Sequence, residues 1–181
     1  TSVNHVVCHG IPAPDKILKA GDIVNIDVDV LKDGWFGDTS RMFCVGTPST
    51  LARRLVDTTY EALLAGIRQV RPGATLGDVG HAIQSVLESR GYGVVREFVG
   101  HGVGREIHED PQVPNFGKPG KGPKLRPGLV LAIEPMVNAG KAGVRMDADG
   151  WTARTEDGSR SAHFEFSVAV TSSGARVLGL T

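Results

Sequence analysis

Cysteine is scarce: Cys8 and Cys44 are the only two in 181 residues. Two thiols cannot build a disulfide framework, so a reducing compartment, the cytoplasm, is the expected setting. Net charge is absent too, with 20 basic residues against 20 acidic ones. A neutral chain projects no long-range field, so neither nucleic acid nor a membrane surface is expected as a partner. No apolar run approaches the ~20 residues of a membrane span, and no charged-then-apolar leader opens the chain. What is plentiful is glycine, 24 residues that punctuate short segments and form no low-complexity tract. Length and composition suit a single soluble domain with a real core.

Periodicity divides the chain. The string I-V-N-I-D-V-D-V at residues 23–30 alternates apolar with polar, the period of a strand. Lys32-Asp33-Gly34 is a turn signal, and residues 35–45 continue as the second strand of a hairpin. Leu51, Leu55, Thr59, Leu63, Ile67 and Val70 then recur at helical spacing behind the capping residues Ser49 and Thr50, and Arg71-Pro72-Gly73 stops them. Thr75 with Asp78 forms a capping box for a second helix through Val79, Ile83 and Leu87, closed by Gly91. Strands are expected at residues 94–99, 129–137 and 164–170, a hairpin at 144–155, and a Gly, Pro and Lys-rich surface loop at 115–127. Strands, two helices, then more strands make an α+β domain rather than a doubly wound sheet.

Acids stand where strands should be apolar. If residues 31–34 form a four-residue loop, Asp27 faces Asp38; if only Asp33 and Gly34 turn, Asp29 faces Asp38 instead. Either register sets two carboxylates about 5 Å apart on one face, where they repel unless a cation lies between them. A solvated acidic face is the plain alternative, and the residues alone leave both registers open. Glu134 follows L-V-L-A-I, and Glu165 sits between Phe164 and Phe166. A carboxylate in such surroundings is costly unless it is paired or binds metal.

Three of the six histidines have distinctive settings. His9 lies in C-H-G-I-P, His101 in G-H-G-V-G-R, and His108 follows seven residues later in I-H-E-D-P. Flanking glycine and proline let the backbone turn closely around an imidazole. His81 is expected at the surface, and His5 and His163 carry no decisive local signal. Four acids with a histidine make a hard, oxygen-rich set that suits Mn, Fe(II), Co or Zn in a dinuclear cluster better than a thiolate zinc site.

Six strings occur together here: V-V-C-H-G-I-P, N-I-D-V-D-V, G-D-T-S-R-M-F, G-H-G-V-G-R-E-I-H-E-D-P, I-E-P-M-V-N and S-A-H-F-E. In this order and spacing the chain resembles the methionine aminopeptidases along essentially its whole length. Only 30 residues lie between Glu134 and Glu165, which resembles type I; type II members carry a long helical insertion there. The resemblance implies a pita-bread α+β fold, two related halves around a dinuclear site, as one catalytic domain over residues 1–181. It also implies that the chain is N-terminally incomplete, lacking the helical segment that the family carries before the position of residue 1.

By the same resemblance Asp27, Asp38, His101, Glu134 and Glu165 would hold two divalent ions, Co, Mn, Fe(II) or Zn, which would settle the open hairpin register in favour of Asp27 facing Asp38. Asp38 and Glu165 would bridge, Asp27 would serve one ion, and His101 with Glu134 the other. A metal-bridged hydroxide would attack the scissile carbonyl, with Glu134 as proton shuttle. His108 would stabilise the tetrahedral intermediate, His9 would hold the substrate, and Cys8 and Trp151 would help line the methionine pocket. The implied substrates are nascent polypeptides with N-terminal Met, taken by a cytoplasmic monomer in transient contact with the ribosome. Two departures stand out: Phe166 replaces the family's usual histidine, removing a hydrogen bond near the ligands, and Ile107 replaces a pocket aromatic. The alternatives are a proline-specific pita-bread peptidase and a non-catalytic module of the same fold.

Overall fold

The alternating segment forms a long antiparallel hairpin in the computed structural model, which describes residues 1–179. Two short strands, β1 (Ser2–Val3) and β2 (Val6–Cys8), precede β3 (Ile23–Lys32) and β4 (Trp35–Cys44). Lys32 pairs with Trp35, so only Asp33 and Gly34 turn. Both take positive φ, 52° and 76°, the conformation of a two-residue hairpin turn that glycine enters freely. This is the second of the two registers: Asp29 faces Asp38, and Asp27 faces Ser40. The resemblance's choice of Asp27 therefore does not hold for the facing pair; Asp27 stands two residues further along the same face.

The helices α1 (Thr50–Ile67) and α2 (Leu76–Glu88) begin where the capping residues lie. The Ser49 side chain accepts from Ala52 N–H at 3.2 Å. Thr75 and Asp78 close a reciprocal capping box, with Thr75 N–H donating to Asp78 at 2.7 Å. After them come β5 (Gly93–Val94), β6 (Gly100–Gly102), β7 (Glu109–Val113), β8 (Val130–Ile133) and β9 (Met136–Asn138). The chain ends in the hairpin β10 (Val144–Met146) with β11 (Ala153–Thr155), then β12 (Ser161–His163), β13 (Glu165–Thr171) and β14 (Gly174–Val177).

The main sheet runs β1-β3-β4-β13-β8-β6-β7, with β14 added to β13. Helices α1 and α2 cover its outer face, where Leu55, Leu63, Val79, Ile83 and Leu87 pack with Leu131, Ile133, Phe166 and Val168 in one buried core. The segment expected as one strand at residues 129–137 divides at Glu134 and Pro135 because proline has no N–H for the ladder; the strand expected at 164–170 forms as β13, and Phe164 separates it from β12. Each break is a change of sheet: β8 and β13 pair in the main sheet, whereas β9 and β12 pair in a three-stranded sheet with β5. Of the expected strand at residues 94–99 only its first residue lies in β5; Val95 is buried in a small core cluster, and Phe98 and Val99 line the inner cavity.

Candidate metal centre

Residues directly opposite each other in a sheet point to the same face, so the register sorts side chains into rows. One row on the inner face reads Asp29 and Asp38, Ser167 opposite Ala132, then His101. Asp38 and Ser167 join these parts, the Ser167 hydroxyl donating to the Asp38 carbonyl at 2.8 Å. The neighbouring row reads Asp27, Ser40 and Glu165, and Glu134 extends it one residue past the Phe166–Ile133 pair. Small side chains, Ser40, Ser167 and Ala132, thus floor the space between acids and histidine. Gly100 and Gly102 permit the His101 strand to sit this close. A Cβ on Gly100 would lie 2.2 Å from the Ala132 carbonyl oxygen, and one on Gly102 2.4 Å from that of Asp110.

Asp38, His101 and Glu165 offer ligand atoms that all lie within 4.8 Å of one another. His101 Nε2 is 3.5 Å from Asp38 Oδ2 and 3.3 Å from Glu134 Oε1. Its Nδ1 lies 2.9 Å from the Gly102 carbonyl oxygen, which can only accept. Nδ1 therefore carries the hydrogen, and in the neutral ring Nε2 presents its lone pair to the carboxylates. A lone pair aimed at carboxylates calls for a cation or shared protons between them. Asp27 is on the same face, but its residue surface is open to solvent and it stands outside the 4.8 Å cluster.

The electrostatics agree with a cation site. Burial, helped by the charges of Asp29 and Asp27, lifts Asp38 to about 8. Burial and the nearby Asp27 and Asp29 lift Glu134 to about 8 as well, against the pull of His101. Glu165 is raised well above its ordinary value by burial first, then by Glu134 and Asp38. Despite its exposed surface, Asp27 is held up by desolvation and by Asp29. Glu165 Oε1 is buried with no hydrogen-bond partner. Carboxyls crowded together with one orphaned oxygen and an imidazole lone pair fit a divalent metal.

A cavity of about 530 Å³ opens beside His101 and Glu134, lined also by His9, Phe98, His108 and Met136 among others; Asp27, Asp38 and Glu165 do not line it. His9 has φ of 56°, stacks on Trp151 at 5.0 Å, and meets Phe98 edge-on at 5.7 Å. His108 packs edge-on against His101 at 4.3 Å. The loop that carries it is fastened to the hairpin tip: Phe36 N–H donates to the Gly104 carbonyl at 2.8 Å, and the Arg105 guanidinium lies 3.8 Å over the Trp35 ring. A cavity of about 440 Å³ between Leu76, Pro111 and Phe116 lies apart from the acids and contains none of the ligand candidates.

Not every expected site residue reaches the cavity. Cys8 is buried in a small cluster with Val7, Val95, Met136 and Ala153 and lies off the cavity wall; its thiol is raised by burial and by Glu134 and Asp27. Trp151 is 57% exposed and backs His9 rather than lining the cavity. Ile107 is half-buried and also off the wall. The expectation for position 166 is corrected by strand alternation. Phe166 points away from Glu165 and packs outward, its ring 6.3 Å from that of Tyr60 with Arg41 over it at 5.3 Å, so no hydrogen bond near the ligands is lost there. His163, in contrast, is 1% exposed and its Nε2 lies 3.4 Å from Glu134 Oε2. Burial holds its pKa down at about 4. Its place two residues before Glu165, hence on the same face, was the available signal.

Residues 1–172 match Metallopeptidase family M24. Methionine aminopeptidase A of Synechocystis sp. is 53% identical over 180 residues, covering 99% of this chain and 71% of that protein. The methionine aminopeptidase of Escherichia coli is 51% identical, covering 99% of this chain and 68% of that protein. The crystal structure of methionine aminopeptidase from Rickettsia prowazekii superposes with a TM-score of 0.97 at 52% identity, over 99% of this chain and 72% of that one. A prolidase from Pyrococcus furiosus is more distant, with a TM-score of 0.77 at 26% identity, over 99% of this chain and 48% of that one. These neighbours share the pita-bread α+β fold that the motifs led us to expect. With a family match over nearly its whole length and half its residues identical to these relatives, the chain belongs to metallopeptidase family M24, among the methionine aminopeptidases.

Proposed function

We propose that this chain removes the N-terminal methionine of polypeptides whose second residue is small, as a two-metal aminopeptidase. The observation that carries this is the convergence of Asp38, His101 and Glu165 within 4.8 Å, with Glu134 touching the same histidine. Asp27, Asp38, His101, Glu134 and Glu165 would hold two divalent ions, Co, Mn, Fe(II) or Zn. Bound there, such ions supply Lewis acidity and lower the pKa of water.

The protein's own groups do the rest. His108 stands over the site with a ring nitrogen free to donate to the oxyanion that forms on the scissile carbonyl. Glu134, flanked by His101 and His163, carries the proton from the attacking water toward the leaving amine. His9, steadied by Trp151 and Phe98, faces the substrate across the cavity. Phe98 and Met136 offer the soft apolar wall that suits a thioether side chain. A preference for a small second residue would follow from steric confinement beside His101 and Glu134, where the substrate's second side chain must lie.

We extend the reading to nascent chains as substrates, transient ribosome contact, and a cytoplasmic monomer with residues 1–181 as one catalytic unit. Its support is the neutral charge, two free cysteines, and no helix among the described residues long and apolar enough to cross a membrane. Mn(II)-loaded protein should release Met from Met-Ala-Ser but not from Met-Arg-Ser. Equal cleavage of the two sinks the steric account. Preference for X-Pro peptides, in keeping with the prolidase likeness, would reassign the substrate, and metal binding without hydrolysis would make the chain a binding module.

A further inference from the structure

His163 takes no part in the chemistry above, yet it is among the largest fully buried side chains of the protein. Neither ring nitrogen has a hydrogen-bond partner among the described residues. Buried polar atoms are normally paired, so each orphan calls for an explanation. The backbone of His163 is fixed from two sides: its carbonyl accepts from Asn25 Nδ2 at 2.8 Å, and β12 pairs it with Met136 on β9. The imidazole is thus a rigid group on the inner face, with Nε2 3.4 Å from Glu134 Oε2. The other oxygen of Glu134 lies 3.3 Å from His101. The carboxylate lies between two imidazoles, one a ligand candidate and one outside the candidate set.

We propose that His163 is the positioning residue for Glu134, donating from Nε2 to Oε2 so that Oε1 is presented to the metal beside His101. The proposal rests on Glu134 being a metal ligand. A gap of 3.4 Å is longer than the about 2.7–3.2 Å of a normal N–H···O bond. Such contacts tighten when the site is loaded, and Glu134 as a fully ionised ligand is the stronger acceptor. Ligating groups are oriented by partners of this kind, and losing one typically costs about 10–100-fold in metal affinity. The geometry also says which donor can stand in. A glutamine amide reaches about as far as Nε2, an asparagine amide stops near Nδ1, and leucine fills the volume without a donor.

The test is calorimetric titration of metal-stripped protein with Mn(II) alone, beside circular dichroism to confirm folding. His163→Leu should bind one of the two ions about 10–100-fold more weakly, while His163→Gln should stay close to the parent. With Co(II) the visible absorption of the leucine variant should change and that of the glutamine variant should not. With Met-Ala-Ser, kcat should fall in His163→Leu with little change in KM. Parent-like titration of His163→Leu overturns the proposal, as does equal weakening by Leu and Gln, which would mean packing alone. If the leucine variant does not fold, His163→Asn against His163→Gln decides: identical isotherms overturn the proposal, and a weaker asparagine variant sustains it. A parent that binds both ions yet leaves Met-Ala-Ser intact defeats the functional reading instead, and the titrations judge His163 independently.

Discussion

The two halves of the main sheet carry the same chemistry on the inner face and differ on the outer one. Behind β8 and β13, which carry Glu134 and Glu165 at their ends, lie Leu131, Ile133, Phe166 and Val168, buried under α1 and α2. Behind β3 and β4, which carry Asp27, Asp29 and Asp38, lie Ile26, Val28 and Val30, exposed at 39%, 44% and 52%. Side-chain placement on one half is fixed by packing. On the other it depends on the hairpin ladder, its turn, and the clasp between Arg105 and Trp35. Ligand identity can therefore be the same on both sides of a site while the source of its rigidity is not.

The largest effect is expected where the halves meet. Asp38 stands at the join of β4 and β13, and Asp38→Ala should empty at least one metal position and abolish cleavage of Met-Ala-Ser, measured by elemental analysis and peptide assay. Full metal content in that variant would mean that the hairpin half contributes no essential ligand. The next effect contrasts the outer faces. Phe166→Ala should destabilise the fold by about 3–5 kcal/mol, whereas Val28→Ala should stay within about 0.5 kcal/mol, both from urea unfolding. Similar losses at the two sites would erase the contrast.

His108 tests the clasp from the inner side. His108→Ala should keep both ions yet lower kcat by about 10²–10³-fold, the cost of one oxyanion donor. Loss of metal would mark it as a ligand, and unchanged turnover would leave it structural. The smallest effect is on pH. In metal-free protein the raised Asp38 and Glu134 contribute stability while protonated: it is fully present below the ordinary carboxylate range and lost as pH rises through about 8. His163 works the other way, its contribution present above 6.5 and lost as pH falls toward about 4. Between 6.5 and 8 the carboxyls dominate, so the metal-free Tm should fall across that window while the Mn(II)-loaded Tm holds. A metal-free Tm that climbs there would contradict the crowded-acid picture.

Much of this was legible before any coordinates. The alternation at residues 23–30, the caps at Ser49 and Thr75, and the glycines around His101 all report local rules, and all were realised locally. The hairpin register was not, because a two-residue and a four-residue turn fit the same string. Where residues 129–137 leave one sheet for another also escaped notice, since Pro135 marks a break but not its destination. Phe166 and His163 are a different case. Strand parity already places Phe166 outward and His163 inward with Glu165, but family resemblance drew attention to the wrong member of that pair.

The change of sheet at Glu134 and at Phe164 has a mechanical consequence. Both strands cross from the main sheet to the smaller one at the same level, as β8 and β13 pair on one side and β9 and β12 on the other. Glu134 and Glu165 therefore sit on the axis about which the two sheets would flex, as the pins of a hinge do. Points on an axis move least when the leaves swing. Any rocking of one sheet against the other about that line would change the cavity mouth more than the spacing of these two carboxylates.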